Sequence, residues 1–281
     1  MPGTLYVVAT PIGNLEDVTL RALRILREAS VIAAEDTRRT SRLLQHYSIS
    51  TPTTSLHAHN EEAKTPRLIE RLRAGESVAL VSDAGTPVVS DPGERLVAAA
   101  HAAGVRVEPI PGPSAAIAAV SASGMGGDGF LFVGFPPARA AARSTWLSRL
   151  AAEPRPVVLY EAPHRIKATL GDLLAAFGDR RVALGRELTK THEELVVRPI
   201  SAHLASIGEG RGEYTLVIEP AEVTVKQAVI PVPKTFFAEF GLLTESGVVG
   251  RKAAIKQLAV KYGLSARAVY SMVEQGRQSI K

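Results

Sequence analysis

The chain contains no cysteine. This absence excludes a disulfide framework, thiolate zinc or iron–sulfur sites and a cysteine nucleophile. No apolar run approaches the roughly 20 residues that a membrane span needs, and no basic segment followed by an apolar one stands at the start. We therefore expect a cytoplasmic protein without a signal peptide. The histidines are scattered, and His57 and His59 make at most a weak pair, so we expect no metal site.

The 281 residues are 46% hydrophobic, which is enough for two modest domains and a small appendage. The net charge of +5 is unevenly distributed along the chain. Residues 226–281 contain nine Lys or Arg and three Asp or Glu, so the rest of the chain is close to neutral. A basic tail on a neutral body indicates an anionic partner such as nucleic acid, although solvated lysines and arginines produce the same composition.

The first half is organised around a stretch that reads SVALVSDAGTPVVSDPG, residues 77–93. Its apolar part, 78–81, has the length and β-branched content of a buried strand. A loop rich in glycine and proline follows at Asp83, and a helix is predicted from Glu94 to Ala103. An acidic residue at the carboxyl end of a parallel strand lies where open α/β sheets bind ligands.

Other strands in the first half are also followed by polar or turn-forming clusters. They are predicted at 5–9, 31–34, 53–56 and 105–110, and Thr19 is expected to cap the helix after the first of them. A small-residue helix is predicted at 115–121. Strands that alternate with helices at this spacing predict a parallel α/β sheet whose clusters share one edge.

The second half is predicted to be another α/β unit, connected through the glycine-rich segment 123–129. Strands are predicted at 130–133, 157–160, 182–184, 195–200 and 214–218, and helices at 138–151, 164–177 and 201–207. We place domain boundaries so that residues 1–122 form a cofactor-binding domain, 123–225 a second α/β domain and 226–281 a helical module.

The tail is predicted to be helical from residue 236 to 281, after a linker at 223–233 that contains prolines. Ala259, Gly263 and Val269 have the spacing of a helix-turn-helix, with a small residue at the helix contact and glycine in the turn. This pattern indicates nucleic-acid contact, but any small helical hairpin can produce it.

Seven motifs occur in order along the chain, and together they resemble the tetrapyrrole-methylase superfamily, in particular its ribosomal-RNA-modifying branch. They read LYVVATPIGNLEDVT, AAEDTRRT, SDAGTPVVSDPG, PGPSA, VGFPP, YEAPHR and RELTKTHEE. The resemblance covers the chain to about Glu219. It implies two α/β domains with S-adenosylmethionine in the cleft between them, and a homodimer. It also implies 2′-O-methylation of a cytidine ribose in small-subunit ribosomal RNA.

The resemblance also implies which loops hold the cofactor. The matching positions are Asp83, Gly85, Thr86, Ser114, Ala115 and Pro11. Small residues at strand ends allow the backbone to approach a ligand closely, and N–H groups at a helix start can meet a carboxylate. Where many members have a GxGxG loop after the first strand, this chain has Thr10 to Asn14, which argues against a tetrapyrrole substrate. A stiff loop containing Pro11 also suggests contact with substrate.

Methyl transfer to a ribose hydroxyl benefits from a base or a nearby cation. The candidate catalytic residues are Glu161, His164, Lys190 and Glu35, with Asp36 and Glu193 as further choices. The candidate RNA-binding residues are Arg38, Arg39, Arg165, Arg251, Lys252 and Lys256. Glu161 and Arg165 can also be an ordinary i,i+4 ion pair, and His164 a helix-start residue without a catalytic role.

Two other functions remain open from the sequence. One is a methyltransferase for a tetrapyrrole or another small molecule on the same fold, which predicts a porphyrinoid-sized cleft and no need for a basic tail. The other is a cofactor-binding or nucleic-acid-binding protein without catalysis, which predicts cofactor binding without turnover.

Overall fold

The computed structural model describes residues 2–208, 210–221, 233–245, 250–262 and 264–278. Contacts divide the chain into two compact units, residues 1–221 and 222–281. The first unit contains two five-stranded sheets. The predicted boundary at residue 122 stays a prediction.

The first sheet is entirely parallel, as predicted. Its strands are β1 (Thr4–Val8), β2 (Val31–Ala34), β3 (Thr53–Ser55), β4 (Val78–Val81) and β5 (Arg106–Ile110). Their order across the sheet is β3-β2-β4-β1-β5. The short apolar runs at β2 and β4 have the predicted bounds and are buried throughout, because helices cover both faces of the sheet.

Five helices accompany this sheet in sequence. They are α1 (Leu20–Glu28), α2 (Thr37–His46), α3 (Glu61–Arg73), α4 (Glu94–Ala102) and α5 (Ala115–Ser123). Thr19 caps α1 as predicted, accepting a hydrogen bond from the backbone N–H of Ala22 at 3.1 Å. Neither α2 nor α3 was predicted individually from the sequence.

Alternation along the strands separates two core layers. In β4, Ala79 and Val81 pack with α1 and α2, whereas Val78 and Leu80 pack with α3 and α4. β1 leads to a helix on one face and β4 to a helix on the other, so their carboxyl ends form a topological switch point, where such sheets bind ligands.

The second sheet is mixed. Its strands are β6 (Leu131–Phe132), β7 (Val157–Glu161), β8 (Arg181–Arg186), β9 (Glu194–Pro199) and β10 (Tyr214–Ile218), in the order β6-β7-β10-β8-β9. Only β6 and β7 pair in parallel. The helices that follow its strands are α6 (Ala140–Leu150), α7 (Ile166–Phe177) and α8 (Ile200–Ser206).

Helix α5 follows the last strand of the first sheet but packs on the second sheet. Ala116, Ala119 and Val120 lie against Val158 of β7 and Val217 of β10. Its small side chains permit this close approach. The loop before α5 is therefore held by both sheets.

The described residues of the second unit form three helices, α9 (Pro233–Glu245), α10 (Arg251–Tyr262) and α11 (Ala266–Gln278). Its core is built from Phe236, Phe240, Leu258, Val269 and Val273. The helical character of the tail is confirmed over these ranges. Residues 279–281, Gly263 and all of the predicted linker except Pro233 lie outside the described residues.

No helix in the described part of the chain combines the length and apolar character that a membrane crossing requires.

Candidate functional site

Three loops meet at the switch point of the first sheet. Thr10, after β1, and Gly85, after β4, exchange two backbone hydrogen bonds of 2.9 Å. Gly85 has φ +78°, a conformation that glycine adopts without strain. Thr86 donates its hydroxyl to the carbonyl of Pro113, which joins this loop to the segment before α5 (3.2 Å). The predicted cofactor loops are thus physically joined.

Asp83 connects the carboxyl ends of β2 and β4. Its carboxylate accepts the backbone N–H of Asp36 at 3.0 Å and lies 3.2 Å from the Nη1 of Arg39. Its own N–H donates to the carboxylate of Glu35 at 3.3 Å. Asp83, which the sequence predicted to lie at the centre of the site, therefore links the loop after β4 to the loop after β2.

The loop after β4 carries local backbone strain. Val88 and Ser90 have φ of +74° and +65°, and a β-branched residue rarely adopts such a value. Strain of this kind costs about 1–3 kcal/mol and is concentrated at functional sites.

A cavity of about 440 Å³, here called the first chamber, opens at these loops. One side is formed by the first-sheet loops, including Asp83, Gly85, Thr86, Ser114 and Ala115. The other side comes from the second sheet and its loops. The first chamber therefore brings five of the six predicted cofactor-binding residues together. Its volume lies within the range of roughly 300–1,000 Å³ that is typical of small-molecule sites.

Five carboxylates line the first chamber. They belong to Glu35, Asp83, Asp91, Glu161 and Glu213. Among the described residues, its only cationic lining side chain is Arg39. This composition makes the chamber acidic and suited to a cationic ligand.

Burial changes the proton affinity of two of these acids. It raises the pKa of Glu35, with the neighbouring carboxylate of Asp83 adding to the effect. Burial also raises the pKa of Asp91 to about 6, assisted by the charges of Glu35 and Asp83. Perturbed carboxylates in a cavity are candidates for binding or proton transfer.

Glu161 lines the first chamber, yet its side chain is 0% exposed and its oxygens are occupied. It accepts the hydroxyl of Thr169 and the N–H of Ala162, and it lies 3.1 Å from the Nε of Arg165. Arg165 in turn donates to the carbonyl of Pro136. The predicted i,i+4 ion pair between Glu161 and Arg165 is therefore present. The bond from Arg165 to Pro136 also connects the YEAPHR turn to the VGFPP loop.

The other catalytic and RNA-binding candidates are dispersed. His164 is exposed and lines none of the described cavities, whereas Arg38 is exposed and bonds to Asp36. In the second unit, Lys252 and Lys256 are exposed, and Arg251 lies 5.6 Å from the ring centroid of Phe240. The roles predicted for these residues stay predictions.

Lys190 lies in a second cavity of about 430 Å³, here called the second chamber. Its Nζ is 2.8 Å from Glu187 and 2.9 Å from Glu213. Burial lowers the pKa of Lys190, but the hydrogen bonds to these two carboxylates more than offset this and leave it raised. Pro11, the sixth predicted cofactor residue, lines the second chamber and not the first.

The loop after β1 touches the loop after β8 at this point. Asn14 donates its N–H to the hydroxyl of Thr189 at 3.1 Å. A Cβ on Gly13 would lie 2.4 Å from the Cγ of Lys190, so this position needs glycine for the close approach. The contact therefore joins the loop after β1 to the loop after β8.

Several lining residues were not assigned from the sequence. Phe135, Tyr160 and Asp91 belong to the VGFPP, YEAPHR and SDAGTPVVSDPG motifs, so their positions carried a signal but no role. The Tyr160 hydroxyl accepts the N–H of Ala116 in the first turn of α5, at 3.2 Å. Thr215 lines the chamber from within β10, and no motif marks it.

Within the described ranges, no group of three or more His, Cys, Asp or Glu side chains is arranged to hold a metal ion.

Comparison with known proteins agrees with the fold. The family described as Tetrapyrrole (Corrin/Porphyrin) Methylases matches residues 4–203. A Pseudomonas aeruginosa protein named ribosomal RNA small subunit methyltransferase I is 54% identical over 200 residues, covering 71% of each chain. A protein of the same name from Halalkalibacterium halodurans is 43% identical over 283 residues, covering 97% of this chain and 95% of its own.

Solved structures share the architecture at low sequence identity. A uroporphyrin-III C-methyltransferase from Thermus thermophilus, complexed with S-adenyl homocysteine, superposes with a TM-score of 0.56 at 22% identity. The match covers 76% of this chain and 97% of that one. The cobalt precorrin-4 methyltransferase gives a TM-score of 0.58 at 17% identity, covering 76% and 94%.

Proposed function

The chain belongs to the tetrapyrrole (corrin/porphyrin) methylase family, and we propose that it transfers a methyl group from S-adenosylmethionine to the 2′-hydroxyl of a cytidine in small-subunit ribosomal RNA. The name carried by its relatives at 43–54% identity supports ribosomal RNA as the substrate class. The choice of the ribose oxygen and of cytidine rests on the resemblance of the seven motifs.

The observation that carries the proposal is the acidic first chamber at the switch point of the first sheet. Among the described residues its lining contains five carboxylates and one arginine, although Glu161 is buried against Arg165 and Glu213 is paired with Lys190. Its volume is about 440 Å³. S-adenosylmethionine has a sulfonium and an ammonium group, and opposite charges at short range stabilise such a ligand. The donor set of the chamber therefore fits this cofactor.

Residues of both sheets would hold the cofactor. Asp83 supplies a carboxylate for a cationic group, and the start of α5 at Ser114 and Ala115 supplies backbone N–H groups for the cofactor carboxylate. Tyr160 and Phe135, whose ring centroids are 5.5 Å apart, supply apolar surface for the adenine ring. When bound, the cofactor supplies an electrophilic methyl group on sulfur.

The protein must orient the ribose hydroxyl and accept its proton. Positioning two reactants contributes much of the acceleration of such a displacement. Glu35 and Asp91 line the chamber with raised pKa values, which makes them stronger bases than ordinary carboxylates. Glu161 is a weaker candidate than the sequence suggested, because its oxygens already accept hydrogen bonds.

A direct experiment tests this function. Purified protein is incubated with methyl-labelled S-adenosylmethionine and small ribosomal subunits from a strain that lacks the activity, and the label is then mapped. We expect one labelled cytidine whose 3′-linkage resists alkaline hydrolysis, because a 2′-O-methyl group blocks that cleavage. A label on the base would contradict ribose methylation.

The two alternative functions predict other results when a porphyrinoid is also offered as acceptor and cofactor binding is measured by calorimetry. Label transferred to a porphyrinoid and not to RNA would establish a small-molecule methyltransferase. Calorimetric binding of S-adenosylmethionine without transfer to either acceptor would establish a cofactor-binding protein without catalysis. The homodimer and the cytoplasmic location stay predictions.

A further inference from the structure

The second chamber directly adjoins the first. Both are lined by Ile12, Arg39, Asp83, Ala84 and Glu213, so these side chains form their common boundary. The second chamber differs in charge, because it adds Arg42 and Lys190 to Arg39. A ligand that extends from the first chamber into the second passes from an acidic to a more basic environment.

A third hollow continues from the second chamber along α2. It measures about 400 Å³ and is lined by Asp36, Arg38, Arg39 and Arg42; we call it the arginine groove. Arg39 and Arg42 line both the second chamber and this groove. They are three residues apart on α2, which places them on the same face of the helix.

The three cationic side chains of the second chamber, Arg39, Arg42 and Lys190, differ in whether they form ion pairs. Arg39 pairs with Asp83, and Lys190 pairs with Glu187 and Glu213. The guanidinium of Arg42 is exposed and makes no ion pair or hydrogen bond with the described residues. It is therefore available for an anion that the protein itself does not supply.

The proposed reaction limits where that anion can be. The 2′-hydroxyl is on the carbon next to the one that carries the 3′-phosphate, so an acceptor ribose at the first chamber brings a phosphate close to its edge. The carboxylates of the first chamber would repel this phosphate. The nearest cation on the common boundary is Arg39, and Arg42 lies one helical turn further along α2.

We propose that the second chamber and the arginine groove form the path of a single RNA strand, in which Arg39 meets the phosphate 3′ of the acceptor ribose and Arg42 binds the next phosphate. This inference rests on the proposed function, since it takes the acceptor to be a ribose. Arg42 is a phosphate-binding residue in this arrangement and does not touch the reacting atoms.

Substitution of Arg42 tests the path. We expect Arg42→Gln to raise the KM for small ribosomal subunits by about two- to fivefold, the effect of losing one exposed charged contact. The kcat and the calorimetric affinity for S-adenosylmethionine should stay the same. The slope of log affinity against log salt should fall by about 0.7, the contribution of one phosphate on a single strand. Arg42→Lys keeps the charge and should retain most of that slope.

Arg67→Gln is the matched control. Arg67 is another exposed arginine with no ion pair or side-chain hydrogen bond to the described residues, but α3 covers the opposite face of the first sheet from α2. It should behave like the unchanged protein in all three measurements. Thermal melting of each variant verifies that the fold is intact.

The outcomes separate this inference from the proposed function. If the unchanged protein methylates RNA and Arg42→Gln has the same KM and salt slope, the path is wrong and the function stands. If no methyl group is transferred, the function fails, and fluorescence anisotropy with labelled ribosomal RNA then decides the path by its dependence on Arg42. Equal losses of cofactor and RNA affinity in Arg42→Gln, or no RNA binding by the unchanged protein, would overturn the path.

Discussion

Asp83 both connects neighbouring loops and lines the first chamber. Its carboxylate holds the backbone N–H of Asp36 and the guanidinium of Arg39, and it also lines the first chamber. Because Asp83 lies on the boundary of both chambers, we expect removal of its charge to change the affinity for a ligand more than the stability of the hydrophobic core. A substitution that keeps the shape and removes the charge separates these roles.

We expect Asp83→Asn to weaken S-adenosylmethionine binding by tenfold or more, because a hydrogen bond to a charged group contributes about 1.5–3 kcal/mol. Asparagine can still accept the N–H of Asp36, so the melting temperature should change little. Isothermal calorimetry gives the affinity. Glu70→Gln, at an exposed position on α3, is the control and should bind as the unchanged protein does. An unchanged affinity in Asp83→Asn would remove this residue from the cofactor pocket.

The raised pKa of Asp91 predicts a pH dependence of cofactor binding. A cationic ligand favours the ionised carboxylate, so affinity should be highest above pH 6 and fall as pH decreases through 6. At pH 5 the loss should approach tenfold. Asp91→Asn should flatten this profile in calorimetry between pH 5 and 7. An identical pH profile in the two proteins would count against contact between Asp91 and the cofactor.

At the scale of elements, two helical glycines differ in their surroundings. Gly276 of α11 leaves no space for a side chain, since an added Cβ would lie 2.1 Å from the carbonyl oxygen of Pro233 at the start of α9. Gly171 of α7 has no atom within 4 Å of such a Cβ. The first position decides how closely α9 and α11 pack, whereas the second contributes only chain entropy.

We expect Gly276→Ala to destabilise the helical unit by about 1–3 kcal/mol, the usual cost of overpacking. Gly171→Ala should instead stabilise the protein by roughly 0.5–1 kcal/mol, since alanine favours a helix. Chemical denaturation monitored by circular dichroism measures both. Cofactor affinity should stay unchanged in each variant, because neither residue lines the first chamber. A fully stable Gly276→Ala would show that α9 and α11 separate without cost.

At the scale of the whole molecule, the proposed cofactor site and the basic tail lie in different units of the chain. Every residue that lines the first chamber lies between Ile12 and Thr215. The helical unit has its own core and carries the exposed Lys252 and Lys256. This separation permits the roles of the two units to be tested independently.

Deletion of residues 226–281 should leave the affinity for S-adenosylmethionine unchanged. It should raise the RNA concentration that gives half-maximal rate, with the largest loss at low salt, where phosphate contacts contribute most. Rates measured against RNA concentration at several salt concentrations test this. A lower melting temperature with an unchanged salt slope would instead identify the tail as a structural cap.

Strand positions in the first sheet followed from local sequence. β2 and β4 have their predicted bounds because short apolar runs bounded by polar loops have few alternatives once both faces are covered. The resemblance of the motifs likewise placed Asp83, Thr86 and Ser114 on one cavity. The acidic and glycine-rich loops were predictable because parallel strands carry their carboxyl ends to one edge.

Only the tertiary structure decided which of these residues share a cavity and which are already bonded. The sequence suggested the ion pair of Glu161 with Arg165, but it did not show that Thr169 and the N–H of Ala162 also donate to this carboxylate, because those bonds form only on folding. The close approach of Gly13 to Lys190 in the second chamber joins residues that are 177 positions apart in the chain. Arg42 belongs to none of the seven motifs, and its proposed role in RNA binding follows from its position on both the second chamber and the arginine groove. Local pattern determines strands and loops because it reports burial and turn chemistry, whereas a binding site is set by distances between segments that the sequence does not place next to one another.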